Sequence, residues 1–140
     1  MQRLVVGYAD LGASLGRRGS QSWLFHQESI LCAARAAGLV AIDGPYLAVD
    51  DGDEFHAAVG AASDLGFDGK WVIHPRQINA VNARFTPSES EVAHAQRIVD
   101  TLTDAHEAGV GAVAIDGAMI DKALAVAARR VLARAGRGPA

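Results

Sequence analysis

The strongest constraint in this chain is its alternation of short, β-branched apolar runs with longer stretches of helical spacing, punctuated by glycine or Asp-Gly. Arg3–Gly7 (RLVVG) is the first such run, read as a buried strand ended by glycine. Residues 10–22 carry Gly12, Gly16 and Gly19 around Arg17 and Arg18, which predicts a polar, flexible loop with room for one helical turn. From Gln27 the spacing turns helical, with Ile30, Leu31, Ala34 and Ala37 at i, i+3, i+4 and i+7, and Gly38 stands where a helix C′ residue belongs. Leu39–Ile42 is a second strand, closed by the turn signal Asp43-Gly44-Pro45. Asp50 or Asp51 is placed to cap a helix running to about Leu65 and ending at Gly66. Lys70–Ile73 is a third strand, broken by His74-Pro75.

Ser88-x-x-Glu91 has the form of a capping box, where each side chain satisfies a backbone donor of the other residue. It opens a long helix with Val92, Ala95, Val99, Leu102 and His106 on one stripe. The run Ala112–Ile115 then leads to Asp116-Gly117, and a last helix carries Ile120, Ala123, Leu124, Ala127 and Val131 on one face. A frayed tail over Gly136–Ala140 is expected.

Alternation of this kind implies an α/β fold with parallel strands and right-handed crossovers. Composition agrees: only 6% of residues are aromatic, while 15 glycines and abundant small aliphatics let helices lie close against strands. Three parallel strands cover poorly and leave exposed edges, whereas a closed (β/α)8 barrel takes roughly 250 residues against the 140 here. The expectation is that another chain completes the sheet, or that the sequence is the C-terminal part of something larger.

Lys plus Arg is 13 and Asp plus Glu is 16, a net charge of −3 with no basic run, which argues against a nucleic-acid partner. Half the residues are hydrophobic, which excludes a disordered chain. No apolar run approaches the ~20 residues of a membrane span, and the N-terminus has no signal-like apolar region. The expected setting is the cytoplasm, with no membrane partner. Cys32 is the single cysteine, which rules out an internal disulfide and a Cys-rich zinc site.

Four stretches carry a resemblance: Asp43-Gly44-Pro45-Tyr46; Gly66-Phe67-Asp68-Gly69-Lys70-Trp71-Val72-Ile73-His74-Pro75-Arg76-Gln77-Ile78; Phe85-Thr86-Pro87-Ser88; and Asp116-Gly117-Ala118-Met119-Ile120-Asp121. Together with Val6-Gly7-Tyr8-Ala9-Asp10-Leu11-Gly12-Ala13-Ser14-Leu15-Gly16, they resemble the citrate lyase β-subunit-like (CitE-like) branch of the HpcH/HpaI aldolase family, which includes malyl-CoA and citramalyl-CoA lyases. The Gly-Lys-x-x-Ile-His-Pro-x-Gln-Ile string is the most specific, and the match runs in order over nearly all 140 residues. The resemblance implies a partial (β/α)8 TIM-type barrel, about the last three βα units, over residues 1–109. Residues 110–140 would form a C-terminal helical extension that serves as an oligomerisation element or active-site lid. It places a metal-binding Glu and a substrate-gripping Arg in earlier strands.

The activity implied is Mg²⁺-dependent C–C cleavage or formation in a 3-hydroxyacyl thioester of the malyl, citramalyl or citryl class. The products are an acetyl-CoA-type thioester and a 2-oxo acid. The implied partners are a CoA or acyl-carrier-protein thioester, and further copies of the chain (a trimer or larger in the family) or a complementary N-terminal half. A catalytically silent interaction subunit and a metal-dependent 2-oxo acid aldolase are the alternatives.

Residue by residue, the resemblance makes Asp10 a Mg²⁺ ligand; on pattern alone Asp10 equally suits the cap of a short helix at Leu11–Leu15. It makes Asp121 the acid/base donated across a subunit interface, where pattern alone reads an N-terminal helix Asp favoured by the macrodipole. Lys122 stands where family members often carry proline. Asp43, His74 and Pro75 are assigned to the substrate pocket, beside plain turn and strand-ending roles. Arg17 and Arg18 suit either CoA phosphates or a solvated loop. His26, His56, His94 and His106 have no metal-ligand spacing and are read as surface or boundary residues, and Cys32 as packing. Gly7-x-x-x-x-Gly12 lacks the Lys-Ser/Thr of a phosphate loop.

Overall fold

Three apolar runs pair side by side in the computed structural model, which describes residues 2–18, 22–107, 113–115 and 118–136. Strands β1 (Arg3–Val5), β2 (Val40–Asp43) and β3 (Gly69–Lys70) form one sheet in the order β1-β2-β3, and both pairings are parallel. The register sets Val5 beside Ile42 and Asp43 beside Lys70, so the polar ends of β2 and β3 lie together at one edge of the sheet. The helices expected between strands are present: α2 (Leu24–Ala36) and α3 (Asp53–Leu65).

Their inner faces build a core of Val6, Leu31, Ala34, Ala41, Phe55, Val59, Ala62, Phe67, Val81 and Phe85. Alanines at 34, 41 and 62 bring helix and sheet close, and Phe55 and Phe67 fill the space between, both fully buried. Burying each such aromatic contributes about 1.5–3 kcal/mol. Arg35 clamps the opposite end of the strands. Its Nη1 donates to Asp68 Oδ2 at 2.7 Å, its Nη2 to the Gly66 carbonyl at 2.6 Å, and Asp68 Oδ2 also accepts from Ala41 N. Gly66 ends α3 at φ +102°, a left-handed conformation that glycine adopts without a Cβ penalty.

Several expectations change. The loop expected after β1 contains a helix, α1 (Tyr8–Ser14), and a further helix, α4 (Ile78–Phe85), follows a 3-10 turn at Pro75–Gln77. The strands are shorter than the apolar runs, because Leu39 and residues 71–73 fall outside the ladder. Gly52, not Asp50 or Asp51, is the N-cap of α3 and makes no side-chain cap. Asp51 instead pairs with His56 Nε2 at 2.9 Å. No turn forms at Asp43-Gly44-Pro45; Asp43 is the last residue of β2 and the chain bends at residues 47–48. Cys32 is exposed rather than packed in the α2 stripe.

The chain divides into two compact units, Met1–Phe85 and Thr86–Ala140. The second contains α5 (Glu89–Glu107), an antiparallel pair β4 (Val113–Ile115) and β5 (Ala118–Ile120), and α6 (Lys122–Ala135). The capping box at the start of α5 forms as expected: Ser88 N donates to Glu91 Oε2 at 2.8 Å and Glu91 N to Ser88 Oγ at 3.3 Å. The core of this unit is Ala95, Ile98, Ile120 and Ala128, with Val99, Leu102, Val113, Val131 and Leu132 against it. The stripe of α5 ends on buried Ala105, leaving His106 exposed. On α6 the buried residues are Ala125 and Ala128, so the inner face is turned from the expected Ala123, Leu124 and Ala127. The Asp116-Gly117 turn and the frayed tail beyond Gly136 lie outside the described residues. Among the described residues no helix is long and apolar enough to cross a membrane.

Candidate active site at the strand C-termini

The C-terminal ends of the three parallel strands converge on one buried polar chain. Asp43 closes β2 and Lys70 closes β3, in register. Lys70 Nζ donates to Asp43 Oδ2 at 2.5 Å and to the Gly44 carbonyl at 2.8 Å. The two side chains are only 4% and 2% exposed, so each charge depends on the other. Asp43 Oδ1 accepts the Tyr8 hydroxyl, and that hydroxyl accepts from Gln27 Nε2 at 2.6 Å. Tyr8 is the first residue of α1, directly beyond β1, so all three strand ends contribute. Burial first, then the hydrogen bond and charge of Asp43, push the Tyr8 phenol well above its usual 10.0. The phenol therefore stays protonated and donating.

Gly44 makes this arrangement possible. A Cβ there would stand 2.5 Å from the Val6 carbonyl oxygen and 2.6 Å from the Tyr8 ring. The residue in the Asp43-Gly44-Pro45 signal is thus required by close approach, not by a turn.

Asp10 lies in the first turn of α1 and is exposed. Its Oδ2 sits 2.9 Å from where a Cβ on Gly7 would stand, so a side chain at position 7 would press on the carboxylate. Asp10 has no hydrogen bond or ion pair among the described residues. A hydrated Mg²⁺ accepts one or two protein carboxylates and keeps several waters, and Asp10 suits it as a single such donor. Among the described residues no group of three His, Cys, Asp or Glu side chains could hold an ion.

His74 is half-buried and caps the 3-10 turn, its Nδ1 accepting from Arg76 N at 3.2 Å; Pro75 takes the first position of that turn and is exposed. Gln77, fully buried, ties the loops after β2 and β3 together, donating to the Ala48 and Asp50 carbonyls and accepting from Ile73 N. Arg17 is not a freely solvated loop residue: its guanidinium lies 4.2 Å over the Trp23 ring and donates to the Ser22 carbonyl. Trp23 in turn packs 5.3 Å from Tyr8. Asp121 belongs to the second unit, where its Oδ1 accepts from Ala123 N at 2.9 Å and Leu124 N at 3.1 Å as the N-cap of α6.

Sequence reasoning missed Tyr8, Gln27, Lys70 and Gln77 as members of this region. The available signal was Lys70: a lysine inside an apolar strand needs a buried acidic partner, and Asp43 closes the preceding strand.

Residues 1–75 match the family model described as HpcH/HpaI aldolase/citrate lyase. The chain is 38% identical over 135 residues to the (3S)-malyl-CoA thioesterase of Cereibacter sphaeroides, covering 94% of this chain and 47% of that protein. It is 40% identical over 115 residues to the citrate lyase subunit beta of Haemophilus influenzae, covering 82% and 40% respectively. Its structure is similar to Mycobacterium tuberculosis CitE in complex with magnesium, acetoacetate and coenzyme A, with a TM-score of 0.68 at 32% identity, over 94% of this chain and 51% of that one. The chain therefore spans about half the length of these relatives. The parallel strands, the polar chain at their ends and the match over residues 1–75 lead to one conclusion: this protein belongs to the HpcH/HpaI aldolase/citrate lyase family.

Proposed function

We propose that this chain contributes the C-terminal strands and extension of a Mg²⁺-dependent CoA-ester lyase. The three-stranded sheet would be part of a (β/α)8 barrel, with residues 110–140 as the extension. The observation that carries the reading is the position of Asp10: a carboxylate without a partner among the described residues, in the helix that follows the parallel strand β1, as active-site carboxylates follow the strands of a barrel. The CitE relative bound to magnesium, acetoacetate and coenzyme A supports the reading of a magnesium cofactor and a CoA-bearing substrate.

The reaction is reversible cleavage of a 3-hydroxyacyl thioester. The hydroxyl loses its proton, the bond between the α and β carbons breaks, and the electron pair passes to the thioester enolate, which is then protonated at carbon. Mg²⁺, when bound, polarises a substrate oxygen and stabilises the developing charge. Asp10 supplies one carboxylate to hold it. Asp121, donated from the extension of a neighbouring copy, moves the proton. His74, whose Nε2 has no partner among the described residues, lines the acyl end with Pro75. Asp43 supports the pocket from behind through Tyr8, since both its oxygens are taken.

A second reading, hydrolysis of the thioester, is favoured by the relative named (3S)-malyl-CoA thioesterase. Product analysis separates the two. With malyl-CoA, lyase action releases acetyl-CoA and glyoxylate, and hydrolysis releases malate and free CoA. Assayed together with the complementary N-terminal half of a relative against malyl-, citramalyl- and citryl-thioesters, the chain is expected to give the 2-oxo acid. Free CoA with no 2-oxo acid would establish hydrolysis instead.

A further inference from the structure

The helix that carries Asp10 has little of its own to hold it in place. α1 is seven residues long and buries no side chain, and a helix that short is not stable alone. Its polar attachment runs through its first residue, beside a contact of Gly12 with the Trp23 ring. The Tyr8 ring lies against Gly44 and 5.3 Å from the Trp23 ring. The hydroxyl is held from two sides, donating to Asp43 and accepting from Gln27 Nε2 at 2.6 Å. Asp43 is fixed by Lys70 at 2.5 Å, and Lys70 by the Gly44 carbonyl at 2.8 Å. Two residues beyond Tyr8, in the same turn, stands Asp10.

We propose that Tyr8, backed by Asp43 and Lys70, is a positioning residue that sets the Asp10 carboxylate for a divalent cation. The inference rests on the reading of Asp10 as a Mg²⁺ carboxylate. Tyr8 touches neither the cation nor the substrate. It fixes where the turn lies, as hydrogen-bond partners behind a metal ligand fix the ligand, and loss of such a partner typically weakens metal binding about 10–100-fold. Gln27 steadies the same hydroxyl from outside and has a smaller share of the effect.

The test measures binding of Mg²⁺ alone by calorimetry, with Mn²⁺ line broadening to locate it, in the chain joined by its complementary N-terminal half, unaltered and with Tyr8→Phe, Gln27→Leu or Asp10→Asn. Tyr8→Phe keeps the ring packing and loses only the hydroxyl, so circular dichroism is expected to show an intact fold. The expected result is binding abolished in Asp10→Asn and weakened about 10–100-fold in Tyr8→Phe, with a smaller loss in Gln27→Leu. Amide exchange is expected to quicken over residues 8–14 in Tyr8→Phe and to stay unchanged over residues 53–65. Unaltered affinity in Tyr8→Phe, with binding lost in Asp10→Asn, overturns the inference and leaves the reading of Asp10 standing. No binding by the unaltered assembly, or binding that persists in Asp10→Asn, overturns both.

Discussion

Asp43 and Lys70 are chemically committed to one another. Together they leave almost no surface to water, so removing one charge strands the other, a change that typically costs about 3–5 kcal/mol. Lys70→Met and Asp43→Asn are each expected to lower stability by about that much in urea unfolding, and the double variant to recover part of it. Additive losses would show that the two charges are not coupled. Tyr8 adds a pH dependence to the same cluster. Its folded pKa lies above the unfolded value of 10.0, so its contribution is fully present below pH 10 and is lost as pH rises towards the folded value. Urea unfolding at alkaline pH is expected to show this decline, and Tyr8→Phe to remove it. Tyr46, raised chiefly by its hydrogen bond to Glu54, stays in both proteins and serves as the internal reference.

Among the elements, the close approach of the chain after β2 to β1 and α1 depends on Gly44. An added methyl would meet the Val6 carbonyl and the Tyr8 ring at 2.5–2.6 Å. Gly44→Ala is therefore expected to cost about 1–3 kcal/mol, measured by thermal unfolding; a neutral effect would mean that β1 and α1 can simply shift aside. At the start of α6 the capping role of Asp121 and its proposed acid/base role separate by substitution. Asparagine caps as well as aspartate, whereas alanine loses about 1 kcal/mol. Asp121→Asn is thus expected to keep stability and lose proton transfer, and Asp121→Ala to lose both.

The elements also show where the sequence was readable. Strands, α2, α3 and the capping box followed from spacing and end signals that act locally. Helix α1 was legible only as a turn within a loop, because Gly12, Gly16 and Gly19 with Arg17 and Arg18 read as loop, while its first residue is held by Asp43, 35 residues away. The inner face of α6 was misjudged for a similar reason: its alanine-rich sequence suits several faces, and contact with α5 selects Ala125 and Ala128. That Asp10 follows a strand was legible, whereas the buried chain near it needed the register that places Asp43 beside Lys70.

At the scale of the whole molecule, β1 and β3 each pair on one side only among the described residues. Unpaired strand edges invite further pairing, and exposed apolar side chains such as Phe25, Leu47, Trp71 and Met119 favour association. Sedimentation velocity is expected to show concentration-dependent self-association of the chain; a monodisperse monomer at all concentrations would contradict it. The same partial sheet bears on chemistry, because the chain spans 47% of the malyl-CoA thioesterase it matches and Asp10 is the carboxylate proposed for the cation. The most direct measurement is therefore release of 2-oxo acid from a 3-hydroxyacyl thioester by the chain joined by its complementary half, with and without Mg²⁺, in the unaltered protein and in Asp10→Asn. The prediction is turnover that needs Mg²⁺ and disappears in Asp10→Asn while the variant remains folded. Turnover that survives in Asp10→Asn, or a folded assembly that releases no 2-oxo acid, would contradict it.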